Sequence, residues 1–398
     1  MLELLAPQAP DALLAVMAAF AADPDPSKVD VGVGVYRDAT GITPVMRAVR
    51  KAEATLLASQ RSKTYIGAAG NRPFATFMEG LVLGEDHPAR RAGRVTSLQT
   101  PGGCGAVRLI ADLIAAIDPA RRVLIGEPTW PNHLPLVMGA GLGVERTPYY
   151  DVAVGRLCFE GVLDALSRLR RGDVALLQVS CHNPTGMDLS PAQWEAVGDV
   201  LEKGGIVPLL DIAYQGLGEG LDADAGPARR LAERLPEVLI AASCSKNFGL
   251  YRERTGAVIL VTGDGRAAAN ALAHMQILAR KLYSMPPDHG AAIVATLAAD
   301  PALLAEWREE LEEMRIRVKG LRTMLATALR GRFGDGRYDF IEAQRGMFSL
   351  LGGLTPAAID RLAVDHHIYM PRDGRINVAG LPERSVERVA AAIHAVAD

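Results

Sequence analysis

Short apolar runs that alternate with helical patterns fill the middle of the chain, and they limit its fold more than any other feature. Helical segments lie between several of these runs, for example at Pro191–Lys203 and Pro227–Arg234. Continuous apolar strands joined by helical crossovers predict an α/β fold with a mostly parallel sheet covered on both faces. The ligand site of such a sheet lies beyond the carboxyl ends of its strands. We predict strands at Arg122–Gly126, Val174–Ser180, Ile206–Ile212, Val238–Ser243 and Ala257–Thr262.

A long helix is predicted after the sheet region. Asp300 and Pro301 supply an N-cap and a first-turn proline. Apolar residues then recur at spacings of three and four as far as Leu325, and Gly331 is the expected stop, so the helix should end at about Arg330. A coiled coil is the alternative, but a single helix flanked by folded sequence is more typical of a core helix that joins two domains. The remainder, from about residue 332, indicates a smaller α+β unit.

The composition excludes several classes of protein. The chain has 398 residues, of which 49% are hydrophobic and 22% are charged, and its net charge is −3. These values are ordinary for a globular protein, and no basic block indicates a nucleic-acid or membrane partner. No apolar run reaches the roughly 18 residues of a membrane helix, and the N-terminal stretch, which carries Glu3 and Asp11, does not resemble a signal peptide. Four scattered cysteines predict neither a metal site nor disulfides, so we expect a soluble, cytoplasmic protein.

Four polar segments fall at predicted strand ends or loops. The first of them opens a helical pattern with Gly102 and Gly103, whose backbone amides can approach an anion at a helix N-terminus. Many such loops are only tight turns, and this one lacks the Lys-Ser/Thr pair of a GxxxxGK[ST] phosphate loop. The four segments are "TPGGCGAVR" (100–108), "CHNPTG" (181–186), "DIAYQG" (211–216) and "SCSKNFGLYRERTG" (243–256).

Three reactive side chains follow two of the predicted strands. Asp211 closes a strongly apolar strand, where it is either a capping carboxylate or the partner of a cationic group. Tyr214 adds a phenol three residues later. Lys246 lies among small hydroxyl residues after the next strand, either as a phosphate contact or as a reactive amine. If the strand ends bring them together, an amine, a carboxylate, a phenol and a phosphate cradle suit pyridoxal phosphate.

The chain resembles the class I aminotransferases of fold type I, in the aspartate/aromatic subgroup. Motifs of that family occur in family order over essentially the whole length, as "VGVGVYRDATG", "TYIGAAG", "PTWPNH", "CHNPTG", "AYQG", "SKNFGLYRER", "RGMFS" and "GRINVAG". The resemblance implies a large domain that binds pyridoxal 5'-phosphate on a mostly parallel sheet, and a smaller α+β domain. In this chain it implies an N-terminal arm at 1–12, a large domain at 45–315, and a small domain formed by 13–44 and 316–398.

The resemblance also implies the cofactor contacts, residue by residue. Lys246 matches the Schiff-base lysine and Asp211 the partner of the pyridine nitrogen, and with Tyr214 they are the expected catalytic residues. His133 is expected near Asp211 in a structural role. The other implied cofactor contacts are Gly102, Gly103, Cys104, Trp130, Asn183, Ser243, Arg254 and, at the other subunit's phosphate, Tyr65.

Substrate contacts are implied in the same way. Arg375 matches the arginine that clamps the substrate α-carboxylate, and a bidentate pair suits that group. Arg280 matches the second-subunit arginine that pairs with a side-chain carboxylate, so a homodimer with shared active sites is expected. The other implied substrate contacts are Gly34, Trp130, Asn183, Met285 and Phe348.

Three residues depart from the family pattern. Cys104 stands where a hydroxyl usually contacts the phosphate, and a thiol is a weaker donor. Gln178 occupies a position often held by histidine, behind the pyridine-binding aspartate. Met285 replaces a polar residue common in aspartate-specific members, and it adds apolar surface near the substrate side chain.

The implied function is transamination by a ping-pong mechanism between amino acids and 2-oxo acids such as 2-oxoglutarate. Arg280 beside the apolar Met285 resembles the dual-specificity aromatic aminotransferases, which accept aromatic and dicarboxylic amino acids. An aspartate aminotransferase is the alternative. A pyridoxal enzyme that decarboxylates or eliminates is a further alternative, as is a non-catalytic phosphate-binding protein, which would not need Lys246 and Asp211.

Overall fold

A seven-stranded sheet is the centre of the computed structural model, which describes residues 1–7 and 11–397. Part of the predicted N-terminal arm, residues 8–10, therefore lies outside the described residues. The strands are β1 Val29–Asp30, β2 Val95–Pro101, β3 Arg122–Glu127, β4 Gly143–Pro148, β5 Tyr150–Asp151, β6 Arg156–Leu157, β7 Val174–Gln178, β8 Val207–Ile212, β9 Val238–Ser243, β10 Thr255–Val261, β11 Phe348–Leu350, β12 Ile368–Tyr369 and β13 Arg375–Asn377.

Helices cover the sheet and continue beyond it. They are α1 Ala12–Ala22, α2 Arg47–Ser59, α3 Arg72–Leu83, α4 Pro88–Arg91, α5 Gly102–Ile117, α6 His133–Gly139, α7 Phe159–Ser167, α8 Pro191–Gly204, α9 Leu221–Arg234, α10 Gly265–Tyr283, α11 Asp288–Ala299, α12 Pro301–Phe333, α13 Phe340–Ala343, α14 Pro356–His366 and α15 Val386–Val396.

The large sheet has the strand order β2-β10-β9-β8-β7-β3-β4. All neighbouring pairs are parallel except those of β10, which runs antiparallel to both β2 and β9. Alternate strand residues belong to different hydrophobic cores, with Leu210 and Ile240 in one and Leu209 and Ala241 in the other. Both faces are therefore buried, which confirms the predicted α/β class and the mostly parallel sheet.

The predicted elements differ from the structure mainly at their ends. Helix α8 begins at Pro191, as predicted, and the structure shows a capping box between Ser190 and Gln193 at its start. Helix α9 begins at Leu221 and contains Pro227, so the prediction that this proline starts the helix was wrong. Gly331 as the stop of α12 was also wrong, because the helix continues to Phe333 and ends at Gly334 in the left-handed conformation.

A third hydrophobic core lies apart from the sheet. It joins Val29 and Val31 to the second half of α12 and to α15. Strand β1 pairs in parallel with β12, so an early segment of the chain is built into its C-terminal part. Among the described residues no single helix combines the length and apolar character needed to cross a membrane. Helices α11 and α12, which are bent relative to each other, reach that length and composition only when the two are taken together.

Candidate active site

Strand direction brings the predicted reactive residues to one edge of the large sheet. Strands β2, β3, β7, β8 and β9 are mutually parallel, so their carboxyl ends and the segments that follow them meet there. Because β10 is antiparallel, its amino end reaches the same edge, together with Arg254, which precedes it. A cleft of about 480 Å³ of empty space opens at this edge. It is lined by Gly103, Cys104, Trp130, Gln178, Asn183, Asp211, Ala213, Tyr214, Ser243, Ser245, Lys246 and Arg254.

Cationic and hydroxyl groups occupy the part of the cleft formed by β2, β10 and β9. Gly102 begins α5 with a φ of +70°, and a Cβ there would come within 2.8 Å of the Arg254 guanidinium, so the close approach requires glycine. Arg254 itself has a φ of +51°, which is uncommon for a residue with a side chain and typical of functional sites. Its Nη1 donates to Ser245 Oγ at 3.5 Å and to the Tyr251 carbonyl at 3.0 Å. Within the described chain, no carboxylate forms an ion pair with Arg254.

The Lys246 amine belongs to the lining of the same cleft as Arg254 and Asp211. Lys246 Nζ is 5.0 Å from the centre of the Tyr214 ring. Burial lowers the pKa of Lys246 to about 8, and the positive charges of Arg254 and Arg375 add to this effect, whereas Asp211 opposes it. A lysine with this pKa is in part a neutral amine near neutral pH, and a neutral amine is a nucleophile and a base.

Asp211 is the penultimate residue of β8 and is hydrogen-bonded to a buried histidine. His133 Nε2 lies 3.0 Å from Asp211 Oδ2, and the histidine is fully buried at the start of α6. On its other side His133 Nδ1 is 2.7 Å from Thr129 Oγ1. The Trp130 ring meets the His133 ring edge to face at 5.2 Å. The prediction that His133 lies near Asp211 is confirmed.

A second group of side chains connects the cleft to β13. Asn183 Nδ2 donates to Tyr214 Oη at 3.2 Å, and Arg375 Nη1 donates to Asn183 Oδ1 at 3.3 Å. Burial raises the pKa of the Tyr214 phenol, and the nearby Arg375 opposes this shift. Arg375 is 8% exposed, and its Nε is buried without a hydrogen-bond partner. Its other side-chain hydrogen bond is to the Gly32 carbonyl, at 3.1 Å from Nη2, so this buried guanidinium has no acidic partner among the described residues.

Phe348 packs against this arginine. The Arg375 guanidinium lies 4.5 Å from the centre of the Phe348 ring, which also meets the Tyr214 ring edge to face. A Cβ at Gly34 would come within 2.7 Å of the same ring. The structure therefore groups Gly34, Phe348 and Arg375 next to the cleft.

Three of the predicted site residues do not reach the cleft of their own chain. Tyr65 is 91% exposed, and Arg280 is exposed near the end of α10. Met285 follows that helix, and its sulfur accepts a hydrogen bond from the Ile66 N–H at 3.1 Å. The segment that carries Tyr65 thus touches the segment that follows Arg280, on a surface separate from the cleft lining.

Some residues of the site were not predicted from the sequence. Ser245 lines the cleft and contacts Arg254, and its spacing of two from Ser243 in "SCSK" was the available signal. Ala213 also lines the cleft, and Thr129 bonds His133, but neither residue type indicates a site by itself. Burial raises the pKa of the Cys104 thiol, and the positive Arg254 opposes this shift. Within residues 1–7 and 11–397, no group of three or more His, Cys, Asp or Glu side chains could hold a metal ion.

Comparisons with known proteins agree with this geometry. The family model for aminotransferase class I and II matches residues 26–393. An aromatic-amino-acid aminotransferase of Paracoccus denitrificans is 45% identical over 393 residues, covering 99% of each chain. An aspartate aminotransferase of Salmonella typhi is 40% identical over 386 residues, covering 97% of each chain. The crystal structure of an aromatic-amino-acid aminotransferase from Burkholderia pseudomallei, covalently bound to pyridoxal phosphate, superimposes with a TM-score of 0.96 at 41% identity over 100% of both chains. The chain therefore belongs to the class I and II aminotransferases, which are enzymes that depend on pyridoxal phosphate.

Proposed function

We propose that the chain is an aromatic-amino-acid aminotransferase of dual specificity, which transfers amino groups between aromatic or dicarboxylic amino acids and 2-oxo acids. One observation carries this proposal. Among the described residues, Arg254 and Arg375 have no acidic partner, and they flank a cleft whose described lining includes the amine of Lys246 and one carboxylate, Asp211. A buried or enclosed cation that has no anion in the protein is suited to an anionic ligand.

The cleft residues fit pyridoxal phosphate. The unpaired Arg254 guanidinium, the hydroxyls of Ser243 and Ser245 and the amino end of α5 would hold its phosphate. Asp211 belongs to β8, the next strand beyond β9 in the sheet order, where it would meet the far end of the ring. When bound, the cofactor supplies an aldehyde carbon and an electron-accepting ring. Trp130 and Ala213, which also line the cleft, would cover the two ring faces.

Each reactive side chain then has a separate task. Lys246 would hold the cofactor covalently, and its free Nζ would take the proton from the substrate Cα. The Asp211 carboxylate would face the ring nitrogen and would favour its protonated form. Asn183 and Tyr214, already hydrogen-bonded to each other, would bind the ring hydroxyl oxygen. In two half-reactions, one amino acid leaves as its 2-oxo acid and a second 2-oxo acid leaves as an amino acid.

Arg375 is assigned to the substrate α-carboxylate. The orphaned Nε and the adjoining Nη groups form the planar edge that a carboxylate binds through two parallel hydrogen bonds. Phe348 and Gly34 would limit the position of the bound carboxylate, because the ring fills the space against the glycine. This arrangement serves every α-amino acid equally, so it does not select the side chain.

Selection of the side chain is assigned to Arg280 and Met285. Arg280 is an exposed cation without an acidic partner among the described residues, suited to a dicarboxylic substrate. The Met285 sulfur and side chain add deformable apolar surface, which suits an aromatic ring. Burial of such a ring stabilises the complex by roughly 1.5–3 kcal/mol. The names of the relatives support both substrate classes, because they include aromatic-amino-acid and aspartate aminotransferases.

The assignment of Tyr65 and Arg280 requires a homodimer in which each chain completes its partner's site. Exposed apolar side chains near these residues support such an interface: Ile277 is 56% exposed, Leu282 41% and Ile66 41%. We assign residues 45–315 to a large domain and 13–44 with 316–398 to a small domain, a division supported by the β1–β12 pairing and the separate third core. We expect the enzyme to be cytoplasmic.

Steady-state kinetics with 2-oxoglutarate test the proposed function. Phenylalanine, tyrosine and aspartate are compared as amino donors at saturating co-substrate. Catalytic efficiency within about tenfold for the aromatic donors and aspartate supports dual specificity. Activity with aspartate alone assigns an aspartate aminotransferase, and the absence of transamination with all three donors contradicts the proposal.

A further inference from the structure

We propose that Gln178 is a positioning residue that sets the direction of a hydrogen-bond chain to Asp211 and thereby keeps Nδ1 of His133 an unprotonated acceptor. The chain runs from the backbone of Asn183 through Gln178, Thr129 and His133 to Asp211. Its consequence for the cofactor rests on the proposed function, but the state of Nδ1 does not.

The backbone of Asn183 determines which way the Gln178 amide points. The Asn183 N–H can only donate, and it lies 2.9 Å from Gln178 Oε1. The Asn183 carbonyl can only accept, and it lies 2.9 Å from Gln178 Nε2. The reversed amide would place two donors together and two acceptors together. Gln178 Nε2 is thus fixed as the donor, and its second hydrogen is directed to Thr129 Oγ1 at 3.3 Å.

The orientation of the Gln178 amide determines which atom is the donor in the hydrogen bond between Thr129 and His133. The Thr129 hydroxyl oxygen accepts the hydrogen of Gln178, so the single hydrogen of that hydroxyl needs an acceptor. Within the described residues, the only other hydrogen-bond partner of Thr129 Oγ1 is His133 Nδ1, at 2.7 Å. The arrangement that satisfies every donor therefore leaves Nδ1 unprotonated. A neutral imidazole then carries its proton on Nε2, which donates to Asp211 Oδ2 at 3.0 Å.

The consequence for Asp211 is a fixed donor on one carboxylate oxygen. A neutral histidine that donates to a carboxylate stabilises its charged form without competing for its proton. The other carboxylate oxygen stays free for the cationic ring nitrogen of the cofactor. Gln178 also connects Asp211, through His133 and Thr129, to the backbone of Asn183. The residue that would contact the ring hydroxyl, Asn183, is thereby linked to the residue that would contact the ring nitrogen, Asp211.

Gln178→Glu is the variant that should reverse the chain, because the oxygen in place of Nε2 has no hydrogen for Thr129: an ionised glutamate has none, and a protonated one gives its single hydrogen to the Asn183 carbonyl. The Thr129 hydroxyl would then donate to the glutamate, and His133 Nδ1 would have to donate to Thr129 while Nε2 still donates to Asp211, so that both ring nitrogens carry hydrogen. Thr129→Val removes the donor to Nδ1 without supplying another acceptor. Thr129→Ser keeps the hydroxyl and is the matched control.

The tautomer is measured by nuclear magnetic resonance on holoenzyme labelled with ¹⁵N in its eight histidines. His133→Gln identifies the resonances of His133. In the unmodified enzyme and in Thr129→Ser, we expect Nδ1 at the shift of an unprotonated, hydrogen-bonded nitrogen and Nε2 at that of a protonated one. In Gln178→Glu, Nδ1 should move to the protonated position. In Thr129→Val, Nδ1 should stay unprotonated and move further from that position, because its hydrogen bond is lost.

Three results would overturn the inference. They are a protonated Nδ1 in the unmodified enzyme, a folded Gln178→Glu protein with an unchanged His133, and an Nδ1 that does not respond to Thr129→Val. If Gln178→Glu does not fold, the unmodified enzyme and the two Thr129 variants still decide the question. An enzyme that shows the expected tautomer but no transamination would contradict the proposed function and leave this inference intact. In the active enzyme, Gln178→Glu should lower kcat by about tenfold with KM unchanged, which corresponds to about 1.4 kcal/mol of transition-state stabilisation.

Discussion

The two ends of the candidate site differ in whether their residues line the cleft of a single chain. At the cofactor end, Lys246, Asp211, Tyr214 and Arg254 come from neighbouring strand ends of a single sheet and line one cleft. At the side-chain end, Tyr65 and Arg280 are exposed, and the Met285 sulfur accepts a hydrogen bond from Ile66, the residue after Tyr65. Parallel strands bring the first group together within the fold, whereas we propose that the second group acts at the cleft of a partner chain. The chemistry and the substrate selection should therefore be separable by mutation.

Loss of the amine at the cofactor end should have the largest effect. Lys246→Ala should reduce transamination of every donor by more than about 10⁴-fold, the upper end of what a positioned proton-transfer group contributes. Borohydride reduction of the unmodified enzyme should attach the cofactor to the peptide that contains Lys246. Lys203→Ala, an exposed lysine near the end of α8, is the control and should retain full activity. A cofactor adduct on a different lysine would reject the assignment.

Loss of the cation at the side-chain end should affect one substrate class. Arg280→Leu leaves a dicarboxylic substrate with an unpaired charge, which costs about 2–5 kcal/mol and corresponds to a loss of roughly 30- to 5000-fold in kcat/KM for aspartate. Phenylalanine should lose far less or gain, because its ring needs no cation. Arg266→Leu, near the other end of α10, is the matched control. Equal losses for both substrates would make Arg280 structural and would remove the distinction between the two ends.

The rate at which Lys246, at the cofactor end, reacts as an amine should depend on pH differently from that of an ordinary lysine. Burial lowers the pKa of Lys246 from 10.5 to about 8, so at pH 7 its neutral fraction should exceed that of an ordinary lysine by about two orders of magnitude. Between these two values the folded, cofactor-free enzyme binds fewer protons than the unfolded chain, so its free energy of unfolding should rise with pH.

The measurement is the rate at which trinitrobenzenesulfonate modifies Lys246 in the cofactor-free enzyme, followed by peptide mass spectrometry from pH 6 to pH 10. We expect half of the maximal rate near pH 8, with Lys203 in the same sample as the reference. Parallel pH profiles for the two lysines would contradict the account of the cleft as a site that favours a neutral amine.

A polar residue in place of Met285 should cause the smallest effect. Met285→Asn reduces apolar surface and adds a hydrogen-bonding group, so the ratio of kcat/KM for phenylalanine to that for aspartate should fall by less than about tenfold, as expected for the loss of a few methylene groups. Met285→Leu keeps the apolar character and should leave the ratio nearly unchanged. A shift toward phenylalanine in Met285→Asn would show that the apolar surface is not what accepts the ring.

More of the cofactor end than of the side-chain end could be predicted from the residues themselves. The strand that contains Asp211 and the strand before Lys246 are continuous apolar runs, so their positions and their common edge could be predicted. Arg254 reaches that edge only because β10 is antiparallel, and strand direction leaves no local signal in an apolar run. Pro227 was taken for a helix start, although tertiary packing of α9 tolerates it inside the helix. Thr129 became recognisable only through its contact with His133.

The side-chain end could be predicted only from the family resemblance. Arg280 and Tyr65 are exposed polar residues in one chain, and composition and periodicity give such residues no function. Their assignment depends on a second copy of the chain, so the division of the site between two chains is the central claim of this account.

Mixed dimers test that claim most directly. A Lys246→Ala chain and an Arg280→Ala chain are given different affinity tags, and the heterodimer is isolated and assayed with aspartate and 2-oxoglutarate. If each Arg280 serves its partner's cleft, one cleft of the heterodimer has both Lys246 and an intact Arg280, and about half of the unmodified dimer's activity should return. If Arg280 served its own chain, both clefts would be defective, and a heterodimer no more active toward aspartate than the two parent homodimers would contradict the account.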